Sequence, residues 1–356
     1  MRPTLSRHGP EFLSRLRLGP SALGFAVLLA AVPSALTGCG DQLGDDFLPD
    51  TVDVVRDGTD GESTDRPDIG PDSVADLPAE ADAEAGADAD ADADADGGAG
   101  SVCDLWRSEY PTRATRVWTP GATACDPGTA DPTAIEDAVR RTNLFRHLVG
   151  LPPMVANPEF SRKAQLCAVL QRGMGGLDHT PPTDAPCYTA EGAEAAGSSN
   201  LAWGVGTMAD AVDLYVGDEG VPSLGHRRWI LHPPYAQGGF GIADTYSCQW
   251  VFGSGADPGV PFVAYPGPGD FPQQALMGPW SLSSSSGGFA GAAVTVTRVS
   301  DGTAMSVSGT YVADPRYGLD TMAWRVGGTL TPGEYRVQVT GGSRSYDYTT
   351  NLVDCR

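Results

Sequence analysis

The stretch from Gly40 to Ser101 decides where this chain can fold. It carries twenty Asp or Glu against only Arg56 and Arg66, a net of −18, and its single aromatic residue is Phe47. It includes the alternating Ala-Asp run from Ala87 to Asp96. Such a segment cannot bury enough apolar area to offset the entropy of ordering it, and its like charges push it open. Residues 39–101 are therefore read as an acidic, extended tether. Most of the formal charge of −22 sits there, so overall acidity says little about what the folded part recognises. No basic face exists to neutralise phosphates, which excludes nucleic acid as a partner.

Ahead of the tether, Arg2, Arg7, Arg15 and Arg17 precede an apolar run from Ser21 to Leu36. That order is the charged and apolar pair of regions of a secretory signal. The run is too short for a comfortable membrane span, and Pro33 interrupts it. Leu36-Thr37-Gly38-Cys39 resembles the lipobox of bacterial lipoproteins. The resemblance implies that residues 1–38 are a lipoprotein signal peptide and that Cys39 is lipidated. Acyl chains there would tie the protein to a membrane, each buried methylene adding roughly 0.8 kcal/mol. Gly40 stands where an Asp commonly retains lipoproteins in an inner membrane, so the outer membrane or cell surface is expected.

Six further cysteines remain: Cys103, Cys125, Cys167, Cys187, Cys248 and Cys355. An even set in an exported chain reads as disulfides. The expected pairing joins Cys103 to Cys125 and Cys167 to Cys187, each closing a short local loop, and leaves Cys248 for Cys355. No two of them have the close spacing of a zinc cluster.

Beyond the tether, helical signals fill the first half and vanish from the second, so an α+β organisation is expected. Residues 102–130 form a disulfide-linked N-terminal segment. Asp131-Pro132 and Asn157-Pro158 are N-cap and first-turn signals. The first opens a helix that Gly150 and Pro152-Pro153 end, and the second opens a helix with Phe160, Ala164, Cys167, Ala168 and Gln171 on one face. Shorter helices are expected near Met208 to Tyr215 and Ser223 to Ile230, then a hairpin of Gly239 to Tyr246 and Cys248 to Gly253. After about residue 255, Pro- and Gly-rich turns separate short alternating runs at Ala292 to Val299, Thr303 to Tyr311, Thr321 to Val326, Glu334 to Thr340 and Tyr346 to Leu352. Residues 256–356 are read as a small antiparallel β-sandwich of immunoglobulin-like type.

Few residues in this chain carry chemistry. His147 falls mid-helix and reads as structural or exposed, and His232, close to Pro233-Pro234, reads as a capping or surface group. His179 follows the second helix in Leu177-Asp178-His179-Thr180-Pro181. His226 lies beside Gly225 at a helix start, where it faces a cleft with little to obstruct it.

Asn143-Leu144-Phe145-Arg146, Gly150-Leu151-Pro152-Pro153, Asn157, the helix with Ala164 and Ala168, and the histidine after it resemble the opening of a CAP domain. This is the superfamily of cysteine-rich secretory, antigen five and pathogenesis-related proteins, also called SCP-like. Gly225-His226-Arg227, Trp229-Ile230-Leu231 and Gly239 to Ile242 resemble its second half, so that residues 131–255 make up the domain. The resemblance implies a three-layer α-β-α sandwich whose cleft gathers two histidines and two acidic residues able to hold a divalent ion. His179 and His226 are the implied histidines. Ser199 stands before Asn200 where the family has Glu before Asn, so the set is incomplete there. Asp218, three residues past Tyr215 and next to Glu219, fits the second acid.

Two imidazoles with one or two carboxylates make a weak site for Zn2+ or another divalent cation. The same groups also suit a hydrogen-bonded cluster that pins loops together. A catalytic reading would set Ser199 beside a histidine base oriented by Asp218. Ser199 lacks a nucleophile elbow, however, and its Gly-Ser-Ser-Asn context reads as a turn. The expected function is therefore binding or interaction through the cleft, with a lipid or protein ligand. The alternatives are a metal- or serine-dependent hydrolase acting on peptide or cell-wall material, and a purely structural envelope spacer.

Overall fold

The computed structural model describes residues 101–356, which lie within one compact unit. The expected signal peptide, Cys39 and most of the tether lie outside the described residues. The helices are α1 (Val102–Glu109), α2 (Pro132–Leu148), α3 (Pro158–Met174), α4 (Ala190–Gly197), α5 (Met208–Gly217) and α6 (Gly225–Ile230). The strands of the first half are β1 (Trp118–Thr119), β2 (Thr129–Ala130), β3 (Val155–Ala156), β4 (Ser199–Trp203), β5 (Tyr235–Ala243) and β6 (Tyr246–Ser254). The second half holds β7 (Val263–Tyr265), β8 (Gly269–Pro272), β9 (Trp280–Ser284), β10 (Ala293–Arg298), β11 (Val307–Val312), β12 (Asp320–Val326), β13 (Gly333–Thr340) and β14 (Tyr346–Val353).

The two Xaa-Pro helix starts form as their chemistry demands. The Asp131 carboxylate accepts from Thr133 N–H, and the Asn157 side chain accepts from Glu159 and Phe160 N–H, with proline after each cap. Both helices pack on a four-stranded sheet of order β3-β5-β6-β4. Gly239 and Gly241 let α3 lie directly on β5, since a Cβ at either would come within 2.4 Å of the Phe160 or Ala164 backbone. Alternation along β5 turns Phe240 and Ile242 to the opposite face. There Gln249, paired with Phe240, reaches Thr142 of α2. Helices thus cover both faces of the sheet: α3 and α4 on one, α2 and α5 on the other.

The second half forms two four-stranded sheets, β10-β13-β14-β8 and β11-β12-β9-β7. Alternation buries Tyr335, Val337 and Val339 in one and Trp280, Leu282, Met322 and Trp324 in the other. Tyr265 of β7 meets Phe271 of β8 edge-on at 5.4 Å, joining the sheets. The expectation of purely antiparallel pairing is corrected, because β8 runs parallel to β14. The chain leaves β7 through Pro266–Pro268 and enters the other sheet at the edge beside its last strand. Strands β7, β8 and β9 escaped sequence reading because they are short and set in Pro- and Gly-rich sequence.

The three disulfides are Cys103–Cys355, Cys125–Cys187 and Cys167–Cys248. All six cysteines pair as expected, but none of the three expected partners is right. Loop-closure entropy grows so slowly with length that a short loop carries little preference. Position in the fold decides instead. Cys167 lies on the α3 face that meets β6, where Cys248 pairs with Gly241. Cys103, on the first helix, lies against the end of the chain.

Arg227, 1 % exposed, joins the two halves. Its Nε donates to Val216 O at 2.6 Å, one terminal nitrogen to Pro279 O and Ser281 Oγ, and the other to Gly217 O and Met277 O. Every N–H of the guanidinium is thereby satisfied. Arg228 donates to Ser223, Asp314 and Leu319 carbonyls. Replacing Arg227 by Ala strands these buried acceptors, and the variant is expected to lose about 3–5 kcal/mol of stability in urea unfolding. A loss under about 0.5 kcal/mol, the level of a surface change, would contradict this role.

Candidate functional site

The site forms where α5 ends and α6 begins. Asp218 follows α5 in the left-handed region, φ 47°, and Leu224 returns to that region at φ 49° just before α6. The Asp218 carboxylate, 3 % exposed, lies 2.7 Å from His226 Nδ1 through one oxygen and accepts the Arg227 backbone N–H at 3.2 Å through the other. One buried side chain thus sets both the helix start and the imidazole. With Nδ1–H donated to the carboxylate, Nε2 is the nitrogen left for a ligand.

Tyr215 backs the ring, its centroid 5.5 Å from that of His226. Its hydroxyl donates to Asn200 O at 3.0 Å and Ser247 O at 3.3 Å, and burial pushes the phenol far above its ordinary range. The Asn200 amide donates to His226 O at 3.0 Å. Asn200 is therefore a support for α6 from β4.

His179 enters from the loop after α3. The Gln171 side chain pins that loop, accepting from Asp178 N–H and donating to Asp178 O. His179 Nδ1 lies 2.8 Å from Ala196 O at the end of α4. Burial holds the His179 pKa below its ordinary value, the Ala196 carbonyl opposes that shift, and the charge of His226 adds to it. His226 lies near enough for its charge to be felt at His179.

Other expected members are placed differently. Ser199 is no turn residue: it opens β4 opposite Trp250, is 5 % exposed, and its hydroxyl has no hydrogen-bond partner among the described residues. It is therefore bonded to neither histidine. Glu219 is turned to solvent and paired with Arg325 of β12 at 2.5 Å. Asp218 is taken up by His226 and the α6 backbone. Among the described residues no three His, Cys, Asp or Glu side chains gather as a metal-ligand set. The donors present do not fit a structural zinc, which needs three or four protein ligands. His147 is exposed, whereas His232 is half-buried rather than a surface group.

Sequence reading missed the arginines around the site. Arg146 of α2 is fully buried and donates to Pro152, Ile230 and His232 carbonyls at 2.8 to 2.9 Å, holding the far end of α6. A run of arginines beside an apolar helix stripe is the one signal that could have raised the question.

Residues 139–253, from within α2 to within β6, match the family model described as the cysteine-rich secretory protein family, CAP. The match covers the elements that build the site and supports a CAP superfamily fold for that segment. Together with three disulfides it fits a secreted or extracellular protein, and a CAP domain suggests an interaction or binding module in general. No curated protein matches the chain.

The lowered pKa of His179 makes stability pH-dependent. A histidine that holds its proton less firmly when folded favours folding above its unfolded value of about 6.5, and stability is lost as pH falls through that value. His232 is shifted the same way, by burial and then by the Arg146 charge. The melting temperature is expected to fall between about pH 7.5 and about pH 5, and to fall less in a His179→Asn/His232→Asn double variant. A melting temperature flat over this window would overturn the assignment.

Proposed function

We propose that the protein is an exported, lipid-anchored binding module that engages a lipid or protein ligand through the cleft around His179 and His226. The observation that carries this reading is the way His226 is held. Asp218, Tyr215 and Asn200 fix its ring and backbone from three sides, so a ligand meets a preorganised Nε2 rather than a mobile side chain. In this reading Cys39 carries the lipid, the acidic segment is the tether, and the location is the outer membrane or cell surface. The two C-terminal sheets act as an immunoglobulin-like sandwich that packs against the CAP segment.

A hydrolase is the second reading, and the Asp218–His226 pair favours it, since a carboxylate-oriented imidazole is a competent general base. Its serine-dependent form lacks support, because the Ser199 hydroxyl is bonded to neither histidine. Reversible binding of Zn2+ or another divalent ion by the two histidines belongs to the same cleft and needs ligands from outside it.

Two measurements test the proposal. A Cys39→Ser variant is expected to move from the membrane fraction to the soluble fraction, and a variant that stays on the membrane would remove the lipid anchor from the account. Against a panel of esters, peptides and peptidoglycan, the full chain is expected to show no turnover that His226→Ala removes. Anionic phospholipid vesicles or a protein ligand should instead perturb the two imidazole resonances saturably. Turnover that disappears in a folded His226→Ala protein would hand the site to the hydrolase reading.

A further inference from the structure

The C-terminal sheets contain a cavity of ≈ 520 Å³ whose lining includes none of the residues of the imidazole cleft. That volume falls in the range of small-molecule sites. Three segments surround it: residues 257–262 between β6 and β7, residues 284–286 after β9, and residues 344–347 at the turn from β13 into β14. We propose that this cavity binds a saccharide that carries a carboxylate.

Its walls are aromatic and fixed. Phe262 and Tyr346 meet edge-on, centroids 5.8 Å apart, and both are half-buried, so part of each ring borders the cavity. The Tyr346 hydroxyl donates to Gly287 O at 2.9 Å, which sets its ring. Ser284 Oγ donates to Pro261 O at 3.1 Å and accepts Ser286 N–H at 3.2 Å, tying two of the three segments together. Rings held in this way present an apolar surface to the C–H face of a sugar.

Its rim is polar and uncommitted. The hydroxyls of Ser285, Ser286 and Ser345 are exposed and take part in no hydrogen bond among the described residues. Hydroxyls both donate and accept, as a polyol requires. Two carboxylates line the cavity, and neither pairs with its cation: Asp347 is paired with Arg336 at 2.5 Å, and Asp257 accepts the Gly259 N–H at 2.9 Å. That cation is Arg344, exposed and without a carboxylate partner among the described residues. A lone guanidinium beside several hydroxyls offers two-point recognition to one carboxylate of a sugar acid.

The test is calorimetric titration of digalacturonate into the full chain, with cellobiose and inorganic phosphate as comparison probes. Saturable binding of digalacturonate is expected, weakened about tenfold or more in Arg344→Gln, where a charge-assisted pair is lost. Ser286→Tyr, which places a ring in the cavity, should weaken it as well. Arg344→Gln should leave the melting temperature unchanged, because the exposed side chain has no partner to lose. No saturable binding, equal affinity in Arg344→Gln, or phosphate binding as tightly as the sugar acid would each overturn the proposal.

Discussion

Buried arginine ties the structure together, and the six-residue helix α6 is where it acts. Arg146 reaches from α2 to the carbonyls at the end of that helix, while Arg227 and Arg228 reach from the helix into the C-terminal sheets. Burial lowers the pKa of Arg146 and of Arg228 to about 10, so both stay charged at neutral pH. Their partners are mainly backbone carbonyls. A buried cation costs several kcal/mol of lost hydration, and only complete hydrogen bonding offsets it. Arg227 achieves this with five contacts and lies 4.2 Å over the Tyr265 ring.

This arrangement bears on the site because α6 carries His226. The helix is too short to be stable alone. Asp218 sets its start, Arg146 holds its end, and the sheets receive Arg227. The imidazole is thus positioned by both halves of the molecule, and the Cys103–Cys355 bridge, closing a separation of 252 residues, joins their outer ends. The second half of the chain thus helps to position His226, whatever it binds for itself.

Local signals in the sequence were legible. Asp131-Pro132 and Asn157-Pro158 mark helix starts because a cap depends only on adjacent residues, and β13 and β14 alternate as a half-buried sheet must. His179 and His226 were singled out by the resemblance that the residues around them carry. Information held only in three dimensions was not. The disulfide partners depend on which faces meet, and Ser199 reads as a turn until β6 is seen to pair with it. Glu219 stands next to Asp218 in sequence, but the left-handed backbone at Asp218 sends the two side chains to different partners. The roles of Arg146, Arg227 and Arg228 were hidden for a related reason: carbonyl acceptors belong to every residue and leave no pattern.

If buried arginines make the two halves one body, they must open together. Native-state hydrogen exchange of the full chain measures this, by comparing amides of α6 with those of β9 and β12 as denaturant is raised. All three are expected to reach the same opening free energy and to respond to denaturant with the same slope. Exchange of β9 and β12 through a separate, cheaper opening, with α6 still protected, would contradict it.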